Sequence, residues 1–158
     1  YLDADETARQ FNTLRQCAER NGVSQQEWGG RQHYLRCRAG TTWANWALAG
    51  LDYDSSLGFA EITGFRAGCC HEYRTYDIHA RKELPLRERP LLLMETTLFA
   101  SSYMNLTPLQ RLETTRSVHS ACRLYGGDMT LLWHNSKLAS RSERAEYESV
   151  IRICLGAE

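Results

Sequence analysis

The sequence predicts an α/β fold in which parallel strands are joined by crossover helices, and three observations support this. Two short apolar segments, residues 91–94 and 129–133, have the length and composition of strands covered on both faces. A helical pattern follows each segment, which gives the order strand, helix, strand, helix. The composition, 42% hydrophobic and 24% charged, is that of an ordinary globular protein.

The two helices of the last third carry the clearest start signals. Thr107 stands three residues before Gln110, and Ser140 stands three residues before Glu143, so each helix opens with a capping box. Amphipathic spacing and flanking glycines indicate two more helices in the first third. The predicted helices cover residues 5–21, 41–49, 108–125 and 141–155.

Three further segments are predicted from turn signals and composition. Residues 51–54 and 64–67 are expected to be strands, and residues 31–35 a short strand or a loop. Residues 69–89 are polar with scattered aromatic side chains, which predicts a long loop of functional or mobile character. The length of 158 residues predicts a single domain, residues 1–158.

Charge and hydropathy narrow the range of partners. Lysine and arginine number 19, as do aspartate and glutamate, and this balance argues against a nucleic-acid partner. Glu88 interrupts the basic pair Arg87 and Arg89, which favours a solvated surface there. The chain has no apolar run of about 18 residues, so no membrane span is expected. A cytoplasmic location is favoured because no signal peptide is visible, and the oligomeric state is left open.

Six cysteines are expected to be free thiols. Three of them lie in helical patterns, where cysteine serves as a small apolar residue, and no Cys-x-x-Cys spacing occurs. The six are Cys17, Cys37, Cys69, Cys70, Cys122 and Cys154.

Candidate functional residues come from the rule that α/β sheets build their sites at the carboxyl ends of strands. His134 follows residues 129–133, Glu95 follows residues 91–94, and Arg66 lies in the predicted strand 64–67. A histidine there can act as an acid or a base near neutral pH, and it can equally hydrogen-bond a loop.

Other candidates are less sharply defined. Arg31 and Arg66 lie among glycines, where a surface or interface salt bridge is the more common role. Asp54 precedes two serines and can either cap a turn or take part in catalysis.

Four motifs in order resemble a known family. They are GRQHYLR at residues 30–36, YDSSLGF at 53–59, GFRAG at 64–68 and LLWHN at 131–135. Together they resemble a bacterial subfamily of the NodB-homology polysaccharide deacetylases, carbohydrate esterase family 4. The resemblance implies the C-terminal portion of a distorted (β/α) barrel and metal-dependent removal of N- or O-acetyl groups from a carbohydrate.

The resemblance also implies roles for individual residues. His134 matches the histidine that protonates the leaving group, and Arg31 resembles the arginine that orients a catalytic aspartate. Tyr34 resembles the residue whose backbone N–H helps to hold the oxyanion. Asp54 and Arg66 match subfamily motifs, and Glu95 stands where a shorter aspartate is expected.

One departure from the family leaves two readings. The paired aspartates and the two metal-binding histidines of the family would precede the first helix, and this chain contains neither. Either the chain lacks the N-terminal half of the domain, or this homologue has lost the metal. A zinc or another divalent ion is therefore expected in a complete domain and not on this chain alone. The alternative function is a non-catalytic carbohydrate-binding or scaffold domain of the same fold.

Overall fold

The computed structural model describes residues 1–157, which form two compact units. The first unit comprises Tyr1–Leu57 and Glu72–Arg89, and the second comprises Gly58–His71 and the chain from Pro90 onward. Both contain helices and parallel strand pairs. The predicted α/β class with parallel strands is confirmed.

The first unit contains a four-stranded mixed sheet and two helices. The sheet order is β1 (Gly29–Gly30), β2 (Tyr53–Asp54), β4 (Lys82–Glu88) and β3 (Tyr73–Asp77). The pairs β1–β2 and β2–β4 are parallel, and the pair β3–β4 is antiparallel. Trp46 packs with Leu84 and Leu86 in its core. The elements are α1 (Ala4–Arg20), β1 (Gly29–Gly30), α2 (Thr42–Ala49), β2 (Tyr53–Asp54), β3 (Tyr73–Asp77) and β4 (Lys82–Glu88).

The second unit is a two-stranded parallel sheet with three helices. Its core contains Cys70, Leu92, Val118 and Cys122. The elements are β5 (Leu93–Met94), α3 (Glu95–Phe99), α4 (Pro108–Leu124), β6 (Leu131–Leu132) and α5 (Arg141–Cys154).

The predicted helices and both capping boxes are confirmed. The Thr107 hydroxyl accepts from the Gln110 N–H, and the Ser140 hydroxyl accepts from the Glu143 N–H; the Gln110 and Glu143 side chains bond back to the cap backbone. The strands predicted at 51–54, 91–94 and 129–133 are each present as two paired residues. The apolar pattern therefore located the strands but overestimated their paired length.

The strand predicted at residues 64–67 is wrong. This segment is a turn, in which the Gly68 N–H bonds to the Phe65 carbonyl at 2.9 Å. Gly64 and Gly68 have φ values of 135° and 74°, which favour glycine and do not belong to a strand. The GFRAG motif is thus a glycine-bounded turn.

The long loop predicted at residues 69–89 is also wrong, because it contains the hairpin of β3 and β4. The polar composition that predicts a loop belongs to two strands whose side chains alternate between buried and exposed positions. Within β4, Pro85 lacks an N–H, which normally interrupts a strand. The hairpin register shifts between Arg74 and Tyr76, opposite the proline-containing part of β4. This irregularity accommodates Pro85, while the side chains of Leu84 and Leu86 alternate into the core.

Arg87, in β4, and Arg89, directly after it, lie on a partly exposed face. Glu88 between them is fully buried, so the expected solvated surface is wrong for Glu88. Successive residues of a strand point to opposite faces. Arg87 and Arg89 each bind both Glu27 and Glu72, which closes a ring of four charges. The hydrogen bonds from the two arginines hold the pKa of Glu27 below its ordinary value.

None of the six cysteines, all of which lie within residues 1–157, forms a disulfide. None of the helices within residues 1–157 has both the length and the apolar character needed to cross a membrane.

The capping box of α5 provides a stability test. Ser140→Ala removes the acceptor of the Glu143 N–H and should lower the free energy of unfolding by about 1 kcal/mol in urea denaturation. Ser149→Ala, in the middle of the same helix, is the matched control and should change it by less than about 0.5 kcal/mol. Equal effects of both variants would show that the box does not stabilise the helix.

Candidate functional site

The parallel pairing of β5 with β6 places the ends of both strands at one edge of their sheet. Met94 pairs with Leu132, so the chain leaves the two strands side by side. Glu95 follows β5 directly, and His134 follows β6 after one intervening residue. The two side chains meet at this edge.

The contact between these side chains is short and partly shielded from solvent. His134 Nδ1 lies 2.6 Å from Glu95 Oε1. The Glu95 side chain is fully buried, whereas that of His134 is 50% exposed. With Nδ1 donating its proton to the carboxylate, Nε2 is the ring nitrogen left to exchange a proton with a ligand.

The Glu95 carboxylate is only partly satisfied. The Thr96 hydroxyl donates to the same Oε1 atom at 2.7 Å. Glu95 Oε2 is buried and has no hydrogen-bond partner among the described residues. A buried carboxylate oxygen without a donor is costly, and such atoms in native proteins are few and call for an explanation. The contact with His134 engages Oε1 and leaves the burial of Oε2 unexplained.

The backbone around His134 is fixed by its neighbours. The Trp133 indole N–H donates to the Lys137 carbonyl at 3.3 Å, and the Lys137 N–H donates to the His134 carbonyl at 2.9 Å. The Trp133 ring packs against Phe99 and Tyr147 at centroid distances of 5.8 and 5.2 Å. Because the backbone is held in this way, orienting the imidazole requires little further loss of entropy.

Arg66 has a local role in the second unit. Its Nη1 donates to the Gly58 carbonyl at 2.8 Å, and its guanidinium lies 5.9 Å from the centre of the Phe59 ring. These contacts close the loop from Gly58 to Gly68. The expected position of Arg66 within a strand is wrong because that segment is a turn.

A second cluster of buried acids lies in the first unit. Asp54, at the end of β2, pairs with Glu88, at the end of β4, and both side chains are fully buried. The Trp43 indole N–H lies 3.2 Å from Asp54 Oδ2 and 3.1 Å from Glu88 Oε2. Ser56 donates its N–H and its hydroxyl to Asp54 Oδ1, at 3.1 and 2.6 Å.

These two carboxyl groups share one environment and cannot both ionise easily. Burial, together with the nearby charge of Asp54, raises the pKa of Glu88 to about 8, and burial also raises the pKa of Asp54. The pair therefore keeps one proton near neutral pH, as closely spaced carboxyl groups do.

Arg31 and Tyr34 follow β1 in the same unit. Arg31 is half-buried, and burial lowers its pKa, while Tyr53, Asp54 and Glu88 favour its charged form. Arg31 and Asp54 are thus brought into electrostatic reach of each other.

Tyr34 has an unusual backbone in a 3-10 turn, His33–Leu35. Its φ is 59°, and Leu35 has a φ of 51°. The exposed Tyr34 ring packs against the His33 ring at a centroid distance of 4.2 Å. The Arg36 guanidinium lies 5.5 Å from the centre of the Tyr34 ring.

The sequence pattern placed Glu88 on a solvated surface, so its role as a buried acid was missed. The available signal was the alternation along residues 84–88, in which Leu84, Leu86 and Glu88 occupy every second position of one strand face. An acid on the apolar face of a strand indicates a buried carboxyl group.

The residues that the structure describes do not fit the metal that the family resemblance implies. Among residues 1–157, no group of three or more histidine, cysteine, aspartate or glutamate side chains is placed to hold a metal ion. Tight zinc sites use three or four such ligands.

Comparison of the chain with protein-family models, with curated proteins and with solved structures gives no match. The resemblance to polysaccharide deacetylases is therefore a prediction that rests on the four sequence motifs.

The proton held by the Asp54–Glu88 pair predicts how the free energy of unfolding changes with pH. The pKa of Glu88 is about 8 in the folded protein and near its ordinary 4.5 after unfolding, so the unfolded chain releases this proton first as the pH rises. This contribution to folding is fully present below pH 4.5 and is lost as the pH rises toward 8. Glu88→Gln cannot ionise and should flatten the fall in unfolding free energy over that interval, measured by urea denaturation.

The matched control is Glu83→Gln, an exposed position on the same strand, which should keep the wild-type slope. If Glu88→Gln also keeps the wild-type slope, Glu88 does not hold a proton in the folded protein.

Proposed function

We propose that this protein is a hydrolase of the polysaccharide-deacetylase type, in which His134 transfers a proton to the leaving group and Glu95 orients it. The single observation that carries the proposal is the contact of 2.6 Å between His134 Nδ1 and the buried Glu95 carboxylate at adjacent ends of parallel strands. The half-exposed ring leaves Nε2 for a substrate.

The proposed reaction cleaves an acetyl group from a carbohydrate amine or alcohol. Nε2 of the neutral His134 ring takes a proton from a water molecule as the water oxygen adds to the acetyl carbon. The bond from that carbon to the sugar nitrogen or oxygen then breaks. The bonding electrons leave with the sugar atom, and the proton on His134 Nε2 transfers to it. Because an unprotonated amine leaves poorly, this transfer is worth about 10²- to 10⁴-fold in rate.

Two residues of the first unit, Tyr34 and Arg31, match motifs of the family that the sequence resembles. The resemblance assigns the Tyr34 backbone N–H to the oxyanion and Arg31 to the orientation of an acid. Left-handed backbone at a residue other than glycine costs on the order of 1–3 kcal/mol and is concentrated at functional sites, and Tyr34 has this conformation. Asp54 lies beside Arg31 as a buried acid.

The substrate class and the larger architecture are part of the same proposal. The four motifs favour an N- or O-acetylated carbohydrate and the C-terminal part of a distorted (β/α) barrel. Each unit contains parallel strand pairs, the kind of pairing that such a barrel is built from.

His134 provides the direct test. His134→Ala should lower kcat for acetate release from an N-acetylated amino-sugar oligomer by about 10²- to 10⁴-fold, equivalent to roughly 3–5 kcal/mol of barrier. His134→Gln should be nearly as inactive, because an amide cannot give up a proton near neutral pH. The control is His79→Ala, an exposed histidine in the turn after β3. Near-native turnover of His134→Gln would assign the histidine a structural role.

Shortening Glu95 tests whether its contact with His134 is needed for turnover. Glu95→Asp retracts the carboxylate by about one carbon–carbon bond, roughly 1.5 Å, which takes it out of hydrogen-bonding range of His134. The variant should lose at least tenfold in kcat with little change in KM, since the ring is then no longer held in the reactive tautomer. Wild-type turnover of Glu95→Asp would show that the Glu95 contact is not needed for proton transfer.

A further inference from the structure

Thr96 takes part in the contact between Glu95 and His134, and the proposed reaction gives it no role. Its hydroxyl oxygen lies 2.7 Å from Glu95 Oε1 and 3.5 Å from His134 Nδ1. His134 Nδ1 itself lies 2.6 Å from the same Oε1 atom. The three polar atoms therefore form a closed triangle that includes one carboxylate oxygen.

The distances decide where the single hydroxyl proton of Thr96 points. The contact with Glu95 Oε1 has the length of an ordinary O–H···O bond, whereas the contact with the ring nitrogen is too long for a useful one. The Thr96 proton is therefore donated to Glu95. A carboxylate has no proton to give, so Nδ1 of the ring supplies the second proton at Oε1.

The environment of the other Glu95 oxygen makes Thr96 an anchor for the carboxylate. Glu95 Oε2 is buried and has no hydrogen-bond partner among the described residues. Thr96 and His134 hold the carboxylate through Oε1. Without the Thr96 hydroxyl, the carboxylate is free to turn about its last side-chain torsion, for which glutamate has a broad energy well.

The backbone holds the Thr96 hydroxyl in place. Thr96 is the second residue of α3, and its carbonyl accepts from the Ala100 N–H at 2.9 Å. The neighbouring Thr97 is fully buried, and its hydroxyl donates to the Ala60 carbonyl at 2.7 Å. A β-branched side chain also has few χ1 rotamers. Thr96 is thus a rigid donor, which orients Glu95 at little further cost in entropy.

We propose that Thr96 is a positioning residue, which holds Glu95 Oε1 toward His134 and thereby keeps the proton of the neutral ring on Nδ1. It acts through Glu95 and not on a substrate. The inference rests on the proposed function for the reaction in which the ring is used. The hydroxyl orients the acid, and the acid orients the imidazole, as outer hydrogen-bond partners do at other histidine sites.

Nitrogen-15 NMR of histidine-labelled protein measures the tautomer of His134 without any substrate, with the signals assigned by His134→Gln. Thr96→Val removes the hydroxyl from a side chain of nearly the same shape. It should lower the ratio of the Nδ1-protonated to the Nε2-protonated form about fivefold, the effect of one hydrogen bond. Thr96→Ser keeps the hydroxyl and should retain the wild-type ratio. An unchanged ratio in Thr96→Val, or one that favours Nδ1 more strongly, would overturn the proposal.

Two control variants separate the hydroxyl contact from a general loss of structure. Thr96→Ala removes the same hydroxyl without adding a methyl group, so it decides the question if Thr96→Val does not fold. Thr97→Val removes the neighbouring hydroxyl, which bonds to the backbone of Ala60. It should lower the free energy of unfolding and leave the tautomer ratio of the folded protein unchanged. Equal changes of the ratio in Thr97→Val and Thr96→Val would contradict a specific role of Thr96.

Turnover separates this inference from the proposed function. Thr96→Val should lower kcat for acetate release about fivefold, with KM within about twofold of wild type, because the ring is held less firmly in the reactive orientation and tautomer. Thr96→Ser should restore kcat. Acetate release by Thr96→Val at the wild-type rate would overturn only the positioning role. If the tautomer ratio responds to Thr96→Val but the wild-type protein releases no acetate, only the proposed activity is overturned.

Discussion

The parallel register of β5 and β6 determines what the second unit can do chemically. Each strand contributes only two paired residues, and the chain leaves both at the same edge. A shift of one residue would turn every following side chain to the opposite face and separate Glu95 from His134. The helices that cover the sheet hold this register: Arg111 on α4 binds both carboxylate oxygens of Glu146 on α5 at 3.1 Å, and the Trp133 ring packs on Tyr147.

The two units accommodate buried acids in different ways. In the first, Asp54 and Glu88 lie side by side, and a shared proton, the Trp43 indole and backbone N–H groups reduce the cost of burying them. In the second, Glu95 has a histidine as its main partner, and one of its oxygens has no donor within the described part of the chain. A shared proton suits a structural role at the end of a sheet, whereas a carboxylate paired with a half-exposed imidazole suits proton transfer.

The sequence predicted the features that depend on local chemistry. Both capping boxes, the helices and the strand preceding His134 follow from residue type and spacing over a few positions. The strand-end rule also selected His134 and Glu95 as candidates, and their contact follows from the parallel pairing of two predicted strands.

The features that were missed depend on tertiary contacts. The polar composition of residues 69–89 predicts a loop, whereas β3 and β4 expose every second side chain, and a ladder irregularity opposite Pro85 accepts the proline. Gly64 and Gly68 flank apolar residues in a way that resembles a strand, although their φ values require a turn. The burial of Glu88 requires Asp54, Trp43 and Leu57 to meet it from distant parts of the chain, which no local pattern reveals.

The protonation of the His134 ring tests the central claim most directly. The claim is that Glu95 holds the neutral imidazole with Nε2 free to take a proton and pass it to the leaving group. Nitrogen-15 NMR of histidine-labelled protein distinguishes the two tautomers of the neutral ring. With Nδ1 donating to Glu95, the account predicts a protonated Nδ1 and an unprotonated Nε2, and a loss of this preference in Glu95→Asp. A neutral ring protonated at Nε2 in the wild-type protein would contradict it.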